Sequence, residues 1–266
     1  MQIGMLLGAK GPNSSVNSLC ATGADAIGTA LNFICLGYAD TMIAGGVDSS
    51  LEPVSIAGID IVGALSREPD PAKACRPFDL NRSGFIFGEG AGLVVLESYE
   101  HAKNRGAPIL AELAGVSWSF DAHDATAPAP EAEAYAMRTA LQNAGVKPEE
   151  VDYINAHGTS TKLNDANETK AIKMAFGDYA YKIPVSSTKS MVGHVVTAAG
   201  AIEAIASILC MNNGLIHPTI NYETPDPECD LDYVPNVARQ AQVSVCLSNS
   251  FGLGGENCCL VLKRFS

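Results

Sequence analysis

The stretch Phe85-Ile-Phe-Gly-Glu-Gly-Ala-Gly-Leu-Val-Val-Leu-Glu97 has a loose echo near the end of the chain, in Phe251-Gly-Leu-Gly-Gly-Glu-Asn-Cys-Cys-Leu-Val-Leu-Lys263. Both place a glycine cluster ahead of an apolar run, the pattern of a buried strand entered through a tight turn. Outward from the first, the sequence predicts a weakly alternating strand over 14–19 leading to Cys20. A small-residue helix over 24–36 and a strand over 41–44 follow, the strand closed by Gly45-Gly46. The segment 66–84, rich in Pro, Asp and Arg, reads as a long loop, 85–97 as a strand and 99–105 as a short helix stopped by Gly106. The second series runs through strand 109–117, helix 131–143, strand 151–155, helix 164–176, strand 184–187 and helix 195–212, and closes with strands 243–249 and 258–263.

Two series that end alike predict an α/β fold of duplicated mixed-sheet halves packed in layers with helices, divided as 1–108 and 109–266. Two unrelated strand pairs are the alternative. If the duplication holds, the second series has strand, helix, strand and helix before Val185-Ser-Ser-Thr-Lys189, whereas the first has almost nothing before Val16-Asn-Ser-Leu-Cys20. The first half is then expected to be incomplete at its N-terminus.

At 266 residues and 47% hydrophobic content, the chain can bury a substantial core. Its net charge of −12 and lack of any Lys/Arg run argue against a nucleic-acid partner. Arg67, Lys73 and Arg76, or Lys103 and Arg105, offer small basic patches for an acidic protein, although singly each reads as an ordinary solvated charge. Eight cysteines without Cys-x-x-Cys spacing and without a preceding signal peptide read as free thiols. Cys258 and Cys259 should alternate across a strand as core residues rather than form a zinc site. The longest apolar stretch, 195–211, is interrupted by Glu203 and is not expected to span a membrane.

Three turns carry candidate chemistry. Cys20 sits where a strand turns into a helix, and there unpaired N–H groups and the helix dipole are expected to lower its pKa and to stabilise an oxyanion. An inert core cysteine is the plain alternative. His157, in Asn155-Ala-His-Gly-Thr-Ser-Thr161, ends a buried strand; it is either a ligand-facing group or a histidine held by Thr159 or Thr161. His194 closes Ser186-Ser-Thr-Lys-Ser-Met-Val-Gly-His194. A buried Lys189 would need a partner, and Glu203, the sole charge of the following helix, is the candidate.

These segments, with Asn249-Ser-Phe-Gly-Leu-Gly-Gly255, Arg76-Pro-Phe-Asp79 and Phe87-Gly-Glu-Gly-Ala-Gly92, stand in the order and spacing of the elongating β-ketoacyl-ACP synthases, which the chain resembles along essentially its whole length. The resemblance implies a thiolase-like fold and a ping-pong decarboxylative condensation in fatty-acid or polyketide chain elongation. Cys20 would take the acyl group, and His157 and His194 would promote decarboxylation of malonyl-ACP. The backbone N–H groups of Cys20 and Phe251 would form the oxyanion hole, with Phe251 also gating the acyl pocket. Thr159 and Thr161 would meet the pantetheine arm, and Lys189 with Glu203 would order the site. No metal or redox cofactor is implied. The implied partners are acyl carrier protein and either a second copy or a complementary subunit, in the cytoplasm or a fatty-acid-making organelle.

Against the family pattern, Leu19 replaces a small residue and is expected to narrow the acyl pocket, Gly63 replaces an arginine that faces the carrier, and Glu256 replaces a threonine. The family also carries an N-terminal stretch ahead of the position of Met1. The expectation is therefore a fragment, a truncated product or one piece of a split enzyme, with apolar surface left uncovered. A non-catalytic subunit and a cysteine hydrolase are the rival classes; retention of Cys20 opposes the first, and the Lys189 and Phe251 segments have no place in the second.

Overall fold

The computed structural model describes residues 2–124 and 126–265. In chain order the elements are α1 (Gln2–Leu7), α2 (Thr22–Cys35), β1 (Thr41–Asp48), α3 (Pro53–Ile61), β2 (Gly90–Glu97), α4 (Tyr99–Asn104), β3 (Glu112–Phe120) and α5 (Pro130–Asn143). They continue with β4 (Tyr153–Asn155), α6 (Lys162–Phe176), β5 (Val185–Ser186), α7 (Lys189–Val192), α8 (Ala199–Asn213), β6 (Leu215–Ile216), β7 (Arg239–Gln240), β8 (Val245–Phe251) and β9 (Glu256–Lys263).

A five-stranded mixed sheet runs in the order β3-β9-β8-β4-β5, with β4 parallel to both neighbours and the remaining pairs antiparallel. Alternation along β9 decides its packing. Cys259 and Val261 point into the core shared with α5 and α6, while Cys258, Leu260 and Leu262 point into the core shared with α2 and α8. The two adjacent cysteines therefore face opposite sides of the sheet and cannot bind one ion between them. Beyond α2 and α8 lies the antiparallel pair β1-β2, so the layers are helix, sheet, helix and sheet.

The pair β1-β2 repeats β8-β9: Thr41 stands opposite Glu97 as Val245 stands opposite Lys263, which puts the last residues of the two echoing stretches in the same place. The helices between the layers also meet reciprocally. A Cβ on Gly23 would lie 2.6 Å from the backbone N of Ala201, and one on Gly200 would lie 2.7 Å from that of Ala24. This close approach brings the start of α2, which follows Cys20, against the start of α8, which follows His194.

Two expectations need correction, and one helix lies in a segment the sequence left unread. Segment 14–18 is not a strand, because none of its backbone groups pairs with a strand among the described residues. The strand expected over 85–97 starts only at Gly90, since Phe85 exchanges bonds with Ala64 and Ser66, while Ile86 and Gly88 bond with His194. The unread segment after β1 holds α3, opened by Pro53 at its first turn, a helix with no buried residue and with Val54 and Ile61 exposed. The helix anticipated over 195–212 passes a membrane-span test by length and composition over Val196–Asn213, but half of that window is buried inside the fold.

Glu133 on α5 is fully buried and neither carboxylate oxygen has a partner. Burial, then the charges of Glu168 and Asp121, hold its carboxyl well above the ordinary 4.5. For a carboxyl raised on folding, stability is at its full value below the unfolded pKa and falls as pH rises beyond it. Glu133→Gln, an isostere of the neutral acid, should therefore raise the melting temperature at pH 8 by several degrees, about 1–3 kcal/mol, and change it little at pH 4. Melts at both pH values test this, and an equal shift at the two would refute it.

Candidate active site

Cys20 lies in a 3₁₀ turn over Leu19–Ala21 that runs straight into α2. The residue before it, Leu19, has φ +48°, a left-handed conformation that costs energy for a non-glycine residue and turns the chain sharply enough to project the thiol. Ser18 N–H donates to Thr22 Oγ1, and its hydroxyl donates to Asp25, whose other oxygen accepts from Trp118 Nε1, so the turn is braced from both sides.

His157 follows β4, and its ring placement is set by backbone clamps. Both oxygens of the buried Glu168 are used: one accepts from His157 N–H at 2.8 Å and the other from Gly158 N–H at 2.7 Å, with Asn249 Nδ2 donating at 3.1 Å. Burial pushes the Glu168 carboxyl up to about 6 despite these donors. His194 follows Gly193, whose φ of +75° lets the chain leave α7 abruptly, and its backbone bridges to Ile86 and Gly88.

Lys189 is 1% exposed and donates to Glu203 at 2.5 Å and to the His157 carbonyl at 2.6 Å, with its Nζ 3.2 Å from His157 Nδ1. The expected Lys189–Glu203 pair is present. Burial raises the Glu203 carboxyl to about 7 while the Lys189 charge pulls it down.

These contacts settle the imidazole tautomers. His157 Nδ1 receives the Lys189 ammonium, so its proton sits on Nε2. His194 Nδ1 accepts Val196 N–H at 3.2 Å, so its proton also sits on Nε2, an atom that is buried and has no partner. The rings lie 5.5 Å apart at 82°. The Cys20 sulfur and a nitrogen of each ring fall within 4.8 Å of one another, a spacing that also suits a metal ion. The Nδ1 lone pairs are taken by Lys189 and by Val196 N–H, which leaves Nε2–H as the free atom of each ring, so the set fits a carbonyl oxygen better than zinc.

Burial pushes the Cys20 thiol up, against the downward pull of the Leu253 backbone N–H, of Lys189 and of its own N–H. The direction is thus opposite to the lowering expected from the helix terminus, because desolvation outweighs these N–H groups and the Lys189 charge. A second correction concerns the oxyanion donors: the N–H that reaches Cys20 from the glycine-rich loop is that of Leu253, two residues beyond Phe251. The Phe251 ring instead stands 5.9 Å from that of His157.

Cys20, His157, His194, Thr159, Thr161 and Phe251 all line one cavity of about 600 Å³. Thr159 and Thr161 face each other at 2.9 Å, and Thr161 also caps α6. Leu19 lines the cavity as anticipated, and α3 contributes Ser55, Gly58 and Ile59 to its wall. Asp121, unread in the sequence, ties the glycine-rich loop to its neighbour by accepting from Asn257 Nδ2 at 2.7 Å and Ala129 N–H at 2.9 Å.

The candidate docking cations are largely neutralised: Arg67 pairs with Asp60, Lys73 with Glu223, buried Arg76 with Glu68 and Arg105 with Glu97, while Lys103 lies over Tyr99.

Burial, then Lys189, hold both imidazoles well below the ordinary 6.5, and His194 adds to the effect on His157. A histidine buried neutral stabilises fully above the unfolded value, so stability should decline by about 1.4 kcal/mol per pH unit for each ring as pH falls below 6.5. The raised Glu133, Glu168 and Glu203 carboxyls act in the opposite sense over the same range, so the test compares denaturant midpoints from pH 8 to 5 of the parent with those of His194→Gln; pH profiles of equal slope below about 6.5 would contradict the assignment.

Residues 2–102 match the family profile described as "Beta-ketoacyl synthase, N-terminal domain", and residues 110–223 match "Beta-ketoacyl synthase, C-terminal domain". The "3-oxoacyl-[acyl-carrier-protein] synthase 2" of Synechocystis sp. is 50% identical over 97% of this chain and 63% of its own length. That of Coxiella burnetii is 52% identical over 96% of this chain and 62% of its own. The chain thus spans about 62–64% of the length of the curated relatives it matches. Among solved structures, a type II polyketide ketosynthase in complex with its acyl-carrier protein superposes with a TM-score of 0.97 at 43% identity, covering all of this chain and 66% of that one. The ishigamide ketosynthase/chain length factor superposes at 0.90 with 42% identity, over 95% of this chain and 61% of that one. Two family profiles in series, relatives at half identity and superposition over the full chain agree with the thiol and paired histidines in one cavity: the chain belongs to the β-ketoacyl synthase family, with its thiolase-like fold.

Proposed function

We propose that this chain carries the condensing centre of a β-ketoacyl-ACP synthase. The observation that carries the reading is the Cys20 sulfur with a ring nitrogen of both His157 and His194 within 4.8 Å in one cavity, each ring holding its proton on Nε2. Cys20 sulfur attacks the thioester carbonyl of an acyl carrier; the carrier's thiol leaves with the proton, and an acyl thioester remains on Cys20. A malonyl thioester then places its carbonyl oxygen between the two histidine N–H groups. The bond to the carboxylate breaks, CO₂ departs, and the electron pair passes into an enolate whose oxygen both N–H groups stabilise. The enolate carbon attacks the acyl carbonyl, the C–S bond breaks, and Cys20 is released as a β-ketoacyl carrier leaves. The N–H groups of Cys20 and Leu253 hold the tetrahedral oxyanion. The departing carboxylate provides the driving force, so neither metal nor redox cofactor takes part. Thr159 and Thr161 would receive the pantetheine arm, and the partner is an acyl carrier protein in the cytoplasm or a fatty-acid-making organelle. A cysteine hydrolase is disfavoured because the buried Lys189–Glu203 pair behind His157 and the glycine-rich segment after Phe251 have no place in that scheme.

We infer further that the centre works with a complementary polypeptide. In the second half β4 lies between β8 and β5. In the first, β1 holds the place of β8 and Val16–Cys20 that of the β5 turn. Between them lies a groove of about 880 Å³ floored by Ala26 and Ala30 of α2. The outer face of β1-β2 exposes Ile43, Val47, Leu93 and Val95, where the corresponding face of β8-β9 is covered by α5. A parallel strand with its helix fits both.

Incubation with acyl carrier and then malonyl carrier, followed by intact mass, tests the condensing reading. A mass gain lost in Cys20→Ser, followed by β-ketoacyl carrier, supports it; a gain that only hydrolyses favours the hydrolase.

A further inference from the structure

His217 contributes nothing to the lining of the cavity, yet its ring sits between the two strands whose ends present the site. Its Nε2 lies 3.0 Å from Thr188 Oγ1, 3.1 Å from the Tyr153 hydroxyl and 3.4 Å from Asn155 Nδ2. Its Nδ1 lies 3.2 Å from both the Pro218 carbonyl and Ser186 Oγ. A carbonyl can only accept, so Nδ1 carries the proton and the Nε2 lone pair faces the cluster. Around the ring the circuit closes: Asn155 Nδ2 donates to Thr188 Oγ1 at 2.9 Å, and the Tyr153 hydroxyl meets Ser186 Oγ at 2.8 Å. One imidazole thus ties β4, through Tyr153 and Asn155, to β5 and its continuation, through Ser186 and Thr188. Asn155 stands two residues before His157, and Thr188 immediately precedes Lys189.

We propose that His217 is a positioning residue that fixes the spacing of β4 against β5 and so holds Lys189 Nζ on His157 Nδ1. The sequence gives the tie no local support, because β4 and β5 share only two residue pairs of backbone ladder, Ile154 with Val185 and Asn155 with Ser186. Side chains must complete the register there. Burial holds His217 below the ordinary 6.5, which keeps the ring neutral and its Nε2 an acceptor. The consequence falls on one step: loss of the Lys189 contact frees the His157 tautomer, which matters for enolate stabilisation and not for transfer of the acyl group to Cys20. The activity readout rests on the condensing function proposed above.

The test compares His217→Leu, which removes both nitrogens, with His217→Gln, whose amide oxygen can replace the Nε2 acceptor. ¹⁵N NMR of the histidine rings in the full chain reports the His157 tautomer without any substrate. We expect His217→Leu to convert His157 from a single Nε2–H form to a tautomer mixture, and His217→Gln to restore the single form. With acyl and malonyl carriers, His217→Leu should lower malonyl decarboxylation about 10²-fold while leaving Cys20 acylation near parent, and His217→Gln should recover most of the loss. An unchanged His157 spectrum in His217→Leu overturns the proposal, as does an equal fall in both steps that glutamine does not rescue. If the parent chain fails to acylate while the tautomer shift appears, the condensing reading fails and the positioning role stands.

Discussion

Lys189→Met should leave acylation of Cys20 close to the parent and slow malonyl decarboxylation by about 10²–10³-fold. Among the described residues the ammonium alone directs a hydrogen at His157 Nδ1, and its three hydrogens are spent on that nitrogen, the His157 carbonyl and Glu203. Without it His157 is free to carry its proton on Nδ1 and to turn a lone pair toward the enolate, which repels the developing charge. In the proposed reaction, acylation of Cys20 draws on the backbone N–H groups of Cys20 and Leu253 and needs no proton from His157. The substitution also leaves Glu203 buried without its partner, a loss typically of about 3–5 kcal/mol for an ion that stays charged. The Glu203 carboxyl is already raised to about 7, so protonation absorbs part of this cost. Lys189→Met with Glu203→Leu should recover thermal stability and not decarboxylation. If decarboxylation recovers along with stability, Lys189 acts through folding alone and the tautomer argument is wrong. Separate rates of acyl transfer and CO₂ release, with melting curves on the same preparations, measure both.

Arg82→Leu should destabilise the chain by about 3–5 kcal/mol and detach the wall of the cavity that holds Thr159 and Thr161. Arg82 is 1% exposed, the largest of the fully buried side chains. Its guanidinium donates to Asp226 at 2.5 Å, to the Asp79 carbonyl, and to the carbonyls of Thr161 and Lys162, with Asp165 3.5 Å away. Asp165 in turn accepts from Phe78 N–H and Ser160 N–H, so the arginine and two carboxylates bind three loops into one block. Removing the cation leaves the Asp165 and Asp226 carboxylates in the interior without the charge that both contact, which favours their protonated forms. The loss should therefore be larger at pH 8 than at pH 4. Urea midpoints at both pH values check it; an equal loss at the two would mean that packing, not charge, is the substance of the contact.

The site side chains legible in the sequence share one property: each stands in a turn that leads into a helix and has a chemistry that needs explaining there. Cys20, His157 and His194 are of this kind, and Lys189 implied Glu203 because a buried ammonium needs a carboxylate. What stayed hidden acts through the backbone or through distant partners. Leu253 contributes an N–H, which no side-chain reading reveals, and attention fell on the neighbouring aromatic Phe251 instead. Glu168 sits on a helix with Lys170 and Lys173 and reads as a solvated charge, yet it is fully buried beneath the His157 turn. The partners of His217 lie on β4 and β5, far earlier in the chain, so its role exists only after folding. The sign of the Cys20 shift was also illegible, since the dipole can be read from the turn and the desolvation that outweighs it cannot. In the fold, the strand anticipated before Cys20 failed because alternation predicts a strand only where a neighbour exists to pair with it.

The most direct test of the account follows one thiol through one turnover. The purified chain is mixed with acyl carrier protein bearing a saturated acyl group, and the intact mass and the peptide containing Cys20 are recorded. Malonyl carrier is then added and the carrier species are analysed. The account predicts an acyl adduct on Cys20 that disappears as CO₂ and a β-ketoacyl carrier two carbons longer are formed. An adduct on Cys20 that yields only free acid when malonyl carrier is present would contradict it.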